Sequence, residues 1–359
     1  MKYNDFLFLV FLIPILNLIG QSTSFNGSYG NFFERNVGTS SSFSSANSSL
    51  SENLGLFSGL VNPSLFLESD NDIEIEISTF LLNPQNQFII TPSVRKRFKK
   101  SFFTINYANQ SNNNIIDSRN FFNNAGNFQN LTFGSLKYNS QLFVGSYTQQ
   151  VKNWSLGGNV KFFHENIGNI FIKNGFSSDF GANYKLKSTK LGFLARNLIG
   201  SHEFWKVNLS EMNEVIGQFN QNNGETIALR EMGYDVYNPT LIFGLNQNLG
   251  SLDSVLETNL AIDLVNYLGN NPNDFISSKL LSSNVRLSLE MIVYNQFLIK
   301  ISSMGLSKDL HTNQNSISYG FGLGFKNKSF IIDFGGFRQK WLQENYWSLG
   351  GSLFLALNK

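Results

Sequence analysis

Cysteine is absent from the chain, which excludes disulfides, thiolate metal sites and a cysteine nucleophile. Histidine occurs only three times, at His164, His202 and His311, and no two of them share a metal-ligand spacing. Serine is abundant, but no serine stands in a recognisable nucleophile–base arrangement. The residues therefore point to no catalytic site, no metal and no cofactor. Charge is scarce too. Charged residues make up 14% of the chain and the net charge is +2, too small to indicate a nucleic-acid partner. Long apolar runs are missing beyond the N-terminus, and the mean hydropathy of −0.13 argues against a bundle of membrane helices.

What the chain has instead is rings and alternation. Aromatic residues are 14%, with 36 Phe, as lipid-facing strands and interfacial girdles require. The end of the sequence, YWSLGGSLFLALNK, shows the texture plainly. Trp347, Leu349, Gly351, Leu353, Leu355 and Leu357 fall on one side, and Ser348, Gly350, Ser352, Phe354 and Ala356 on the other. That is the period of two of a β-strand. A strand with a greasy face and a polar face fits a closed wall between lipid and lumen. The fold class read from this is all-β: a transmembrane antiparallel β-barrel of about 14 strands in the cell outer membrane, with outer-membrane lipid as its first partner.

Three regions follow. Residues 1–20 read as a signal peptide, with Lys2 as the positive n-region, Phe6–Ile19 as the apolar core and Gly20 before the cut. Residues 21–71 form an irregular leader rich in Ser, Gly and Asn, expected either as a disordered lead-in or as a hatch folded into the barrel mouth. Its scattered rings (Phe25, Tyr29, Phe32, Phe33, Phe43) suit the hatch. Residues 72–359 form the barrel. Tight turns at Lys152-Asn153, Lys187–Lys190, Gly250-Ser251, Asn295 and Asn327-Lys328 alternate with long connections. The long ones are Asn109–Tyr138, Glu165–Ser177, Ile199–Asn238, Asn266–Ser282 and Gly305–Asn315, and a short helix is expected within Ser210–Glu231. Short turns on one side and long loops on the other are the asymmetry of an outer-membrane barrel.

Strand phase assigns faces. Ile73, Ile75 and Ile77 oppose Glu74, Glu76 and Ser78, and Val285, Leu287 and Leu289 oppose Arg286, Ser288 and Glu290. Charge on lipid is costly, so Asp179, Lys185, Arg196, Asp263, Arg286, Glu290 and Asp333 are expected to face the lumen. They serve either as interior ion pairs that stiffen the wall and grip the hatch or as a charged constriction. Readable inward positions are mostly polar, with Phe163 an exception. The run Arg95–Lys100 is expected in a periplasmic turn, either as a solvated stop or as a docking patch. Pro92 implies a bulge or weakened pairing.

Several segments resemble a known group. Leu60-Val61-Asn62-Pro63-Ser64-Leu65-Phe66 is similar to the "NPA" hatch motif of FadL-like barrels. The stretches 155–161 and 176–182 resemble the "GxxxK … GFaxDlGa" stretch of the PorV/PorQ family, and 191–198, 260–263 and 285–290 resemble its later strands. Two departures stand out. Ser64 replaces the usual Ala, and Arg35-Asn36-Val37-Gly38 is the nearest match to the Arg…Gly-Gly stretch usual before the motif. The resemblance implies a fourteen-stranded barrel with Asn62, Pro63 and Ser64 in the hatch. It also implies a place in the type IX secretion apparatus, docking secreted cargo or other secretion-apparatus proteins. The competing expectation is a FadL-like channel for hydrophobic small molecules, which needs an apolar inner pocket.

Overall fold

The structure is a computed structural model. It describes residues 42, 44–45, 55–56, 58–65, 71–82, 87–117, 134–209, 231–252, 255–268, 276–277, 281–308, 315–327, 329–341 and 344–357. The expected signal peptide, most of the leader and the helix expected after Ser210 lie outside the described residues.

A one-turn helix, α1 (Ser58–Val61), precedes the strands. The strands are β1 (Ile73–Leu82), β2 (Gln87–Phe98), β3 (Ser101–Asp117), β4 (Gly134–Val151), β5 (Trp154–Ile167), β6 (Phe171–Leu186), β7 (Thr189–Arg196), β8 (Ser201–Val207), β9 (Met232–Tyr237), β10 (Thr240–Leu252), β11 (Leu256–Leu268), β12 (Ile276–Ser277), β13 (Leu281–Val293), β14 (Phe297–Lys308), β15 (Asn315–Lys326), β16 (Phe330–Trp341) and β17 (Glu344–Leu357). All belong to one sheet. β7 and β8 are two halves of one wall strand, interrupted at 197–200, and both pair with β6. β9 and β10 are likewise two halves of the next one. β12 is a two-residue piece alongside β13. The wall is thus a closed antiparallel barrel of fourteen strands. Closure is made by β1 on β17, in register from Ile73↔Leu357 to Leu81↔Leu349.

Alternation in the sequence becomes alternation of environment. Along β1, Ile73, Ile77 and Leu81 are exposed on the outside, while Glu74, Glu76, Ser78, Phe80 and Leu82 are buried within. β17 repeats the pattern, with Trp347, Leu349, Leu353, Leu355 and Leu357 outside and Ser348, Ser352 and Phe354 inside. The outer face also carries paired rings near the short-turn rim. Trp154 and Tyr184 lie 4.7 Å apart and Phe297 and Phe325 5.5 Å apart, where amphipathic rings meet headgroups.

The upper boundaries differ from expectation. Glu165–Ser177 is no loop: β5 runs to Ile167, and β6 starts at Phe171 after a three-residue turn. β8 and β9 occupy both ends of the expected Ile199–Asn238 loop. β4 is 18 residues long, where about 9–11 suffice to cross the hydrocarbon. The hairpins of β3 to β9 therefore rise beyond the membrane, where lipid no longer enforces strict alternation on the sequence.

Two local expectations need correction. The basic run is not all turn: Arg95 to Phe98 belong to β2, and only Lys99-Lys100 turn. Pro92 makes no bulge. The β2–β3 ladder keeps its register across the gap between Ile90↔Asn109 and Ser93↔Asn106, so proline, lacking an N–H, weakens pairing locally without shifting it.

Candidate functional site: the lumen and its inner segment

Residues 58–65 sit inside the barrel, seated on β4, β5 and β6. Asn62 and Ser64 are fully buried. Asn62 Oδ1 accepts from the Ser64 amide at 3.0 Å and from Ser64 Oγ at 2.7 Å, closing a tight turn around Pro63. The wall then holds this turn by its backbone. Ser155 Oγ donates to the Ser64 carbonyl at 2.5 Å, Thr148 Oγ1 donates to the Pro63 carbonyl, and Asn183 Nδ2 donates to Ser64 Oγ at 2.8 Å. Two glycines make the seat possible. A Cβ on Gly157 would lie 2.0 Å from the Pro63 oxygen, and one on Gly181 1.9 Å from Asn62 Oδ1. Just above, Leu60 packs among Ala108, Leu142, Val144 and Phe163. On the far wall, Ser302 Oγ donates to the Ser44 carbonyl at 2.6 Å. Described residues of the leader thus touch both sides of the lumen.

The seven charges expected in the lumen keep the inward phase, with differing roles. Asp179 is sealed in a salt bridge with Lys161 at 2.7 Å, with neither side chain exposed. Asp179 also accepts from the Asn197 amide at 2.8 Å and from Asn159 Nδ2 at 3.0 Å. Lys161 donates to Asn197 Oδ1 at 2.9 Å. This network clamps the break between β7 and β8, where Asn197 takes φ 54°. Asn159 Nδ2 reaches the Gly59 carbonyl at 3.4 Å, so the same network meets the inner segment. Glu290 pairs with Lys300 at 2.9 Å. Asp263 and Arg286 face each other in register on β11 and β13. Asp333 accepts from Ser352 Oγ at 2.6 Å. Arg196 is half-buried at the top of β7, and Lys185 lies exposed at the short-turn rim.

Several lumen residues escaped the sequence reading. Arg95 points inward and is buried, with its Nε donating to Glu74 Oε2 at 2.6 Å. Its place in a basic run hid it; its two-residue offset from Ser93 was the available signal. At the outer mouth, Lys173 bridges Glu165 at 2.8 Å and Glu203 at 3.1 Å. Burial pulls the Lys173 ammonium down, but the two carboxylates together hold it above its usual value. Burial, helped by Glu203, pushes the nearby Tyr237 phenol up to about 12. His164 Nδ1 lies 2.8 Å from Asn174 Oδ1 and His202 Nε2 lies 3.0 Å from the Ile199 carbonyl, which places both rings in structural hydrogen bonds. His311 lies outside the described residues.

The inner wall is also less polar than expected. Leu194, Ile242 and Val265 lie in one register row across β7, β10 and β11, fully buried, with Tyr267 against them. Phe80, Leu82, Ile89 and Phe337 form a second inward cluster near the outer mouth, and the Phe80 and Phe337 rings stack at 5.8 Å. The sequence reading had found only Phe163.

A closed fourteen-strand wall with an apolar exterior, charges turned inward and an N-terminal segment in its lumen defines an outer-membrane β-barrel of FadL-like fold. The solved structures it matches agree. The toluene transporter TodX of Pseudomonas putida aligns over 90% of this chain and 100% of its own, at 11% identity and a TM-score of 0.55. The monoaromatic hydrocarbon channel CymD aligns over 86% and 94%, at 8% identity and a TM-score of 0.51. A FadL homologue of Pseudomonas aeruginosa aligns over 89% and 98%, at 11% identity and a TM-score of 0.50. At such identities the likeness is one of fold. No family model and no curated protein matches the chain.

Proposed function

We propose that the chain is an outer-membrane channel for hydrophobic small molecules. The observation that carries this reading is the apolar row Leu194–Ile242–Val265 on the inner wall, joined by Tyr267. The row continues the ladder that begins at the seat of the inner segment, through Gly157↔Gly181 and Gly181↔Leu194. A hydrocarbon gains about 25 cal/mol per Å² of surface it removes from water, so such a row holds a greasy solute where a wall of ion pairs would not. The fold shared with toluene and hydrocarbon transporters supports the same reading. On it, the inner segment is the hatch, and Asn62, Pro63 and Ser64 are its fixed point.

The test is uptake of radiolabelled toluene by a deletion strain carrying either the wild-type gene or Ile242→Asp. The deletion is expected to lose uptake, and Ile242→Asp to fail to restore it while the barrel reaches the outer membrane in normal amount. Undiminished uptake in the deletion strain sinks the channel reading.

A second reading, docking of secreted cargo or secretion partners, is favoured by one observation. The segments that resemble PorV/PorQ barrels, 155–161 and 176–182, supply much of the seat of residues 62–64. Comparing surface proteins of the same deletion strain separates the two. Loss of cargo with C-terminal sorting domains, with toluene uptake intact, assigns docking.

A further inference from the structure

The short-turn rim is unevenly charged. Three consecutive hairpins place Lys99 and Lys100 between β2 and β3, Lys152 between β4 and β5, and Lys187 in the turn between β6 and β7, with Lys190 at the start of β7. All five are exposed, as is Lys96 just above the first turn. The turns are stitched into one arc. The Gln150 amide donates to the Lys100 carbonyl at 2.9 Å, the Lys185 amide to the Asn153 carbonyl at 2.9 Å, and the Asn248 amide to the Ser188 carbonyl at 2.8 Å. No Asp or Glu occurs in 98–103, 147–157 or 181–191. The arc ends at the next hairpin, where Asn248 Nδ2 donates to Glu257. Farther round, the turn 294–296 (Tyr-Asn-Gln) carries no charge, and among the remaining short turns lysine returns only at 326 and 328, at a single connection between β15 and β16 that stands alone rather than in a run of three cationic turns.

Backbone geometry adds a second observation. Lys99 and Lys152 each take φ 55°, at the first position of a two-residue turn. Glycine or asparagine is the unstrained choice there. Lysine at both positions sets a charge where local conformation disfavours it. A stop that merely keeps strands out of lipid needs no such placement, since the flanking positions would serve.

We propose that this lysine arc is a docking surface for an acidic segment of a periplasmic protein. Anionic lipid headgroups form a ring around the whole barrel and would call for cations all round it. They also reach only outward-facing side chains, whereas Lys190 keeps the inward phase of Gly192 and Leu194 on β7. A single acidic partner approaching from below fits both the one-sidedness and the inward lean. Opposite charges steer such an encounter and fix its register. The proposal is independent of what passes through the lumen.

The full barrel in phosphatidylcholine nanodiscs, with fluorescent poly-L-glutamate as the probe, tests it. The arc variant combines Lys99→Asn, Lys100→Gln, Lys152→Asn and Lys187→Gln, which keep or ease the turns. The control combines Lys326→Gln, at the end of β15, with Lys328→Gln, which follows it in the sequence before β16. Wild type is expected to bind the probe with a steep salt dependence. The arc variant is expected to bind about tenfold more weakly with a shallower slope, and the control within about twofold of wild type. No binding by wild type, or equal losses in arc variant and control, overturns the proposal. So does an arc variant that keeps its probe affinity but loses enrichment of phosphatidylglycerol in mixed nanodiscs, since the arc then reads lipid.

Discussion

Asp179→Asn keeps the shape of a buried side chain and removes one charge of a sealed pair. Lys161 would then hold its ammonium at zero exposure without the Asp179 carboxylate that faces it. Leaving one member of a buried ion pair uncompensated costs about 3–5 kcal/mol. The asparagine still offers an oxygen to the Asn197 amide, so the loss is chiefly one of charge. Lys161→Met alone strands the Asp179 carboxylate with two neutral donors, Asn159 Nδ2 and the Asn197 amide, and is expected to cost slightly less. The double variant removes both charges of this pair and is expected to recover about 1–3 kcal/mol of the summed single losses. The assay is guanidinium unfolding of the refolded barrel in micelles, followed by tryptophan fluorescence. Asn159 also holds the Gly59 carbonyl, so protease cleavage within residues 55–65 is expected to quicken in both single variants and to slow again in the double. Strict additivity of the two single losses refutes the coupling.

Gly157→Ala puts a methyl against the Pro63 carbonyl; the barrel is expected to keep its heat-modifiable migration on gels while residues 58–65 become accessible to protease. Phe321→Arg places a cation on the lipid face near mid-strand, and a loss of about 2–4 kcal/mol is expected in lipid-vesicle unfolding titrations. Tyr237 has a folded-state pKa raised to about 12, so the stability it contributes is complete below pH 10 and fades as pH rises toward 12. The ultraviolet titration of wild type minus Tyr237→Phe is expected to show a phenol ionising near 12, and a midpoint at 10 would contradict the burial described at the outer mouth.

The barrel was legible because lipid imposes a rule on every span. Ile73–Leu82 and Tyr346–Leu357 alternate without exception in phase, and the tight turns at Lys152-Asn153 and Asn327-Lys328 mark the rim. That rule lapses above the membrane, so β8, β9, the last three residues of β5 and the upper part of β6 read as loop. Partnership across strands was illegible for another reason. Phase tells that Asp179 and Glu290 point inward, but the partners Lys161 and Lys300 come from register, which no local pattern encodes. The apolar inner row was missed because Leu194, Ile242 and Val265 sit in strands greasy on both faces, such as GFLAR and TLIFGL, where alternation is faint. Arg95 was missed because its cationic neighbours Lys96 and Arg97 made it look like part of a solvated turn. The seat of residues 62–64 was half visible: Gly157 and Gly181 lay within quoted motifs, but their meaning as vacated space needed the third dimension.

The seam between the first and last strands carries its own safeguard against misassembly. With Glu74 and Glu76 on the inward side of β1 beside Ala356 and Phe354 of β17, a slip by one position would turn two carboxylates toward hydrocarbon or leave the ring unsealed. Few sequences could tolerate either outcome, so the last step of insertion accepts one alignment and rejects its neighbours. Fidelity of closure is thereby written into a pair of glutamates at the seam.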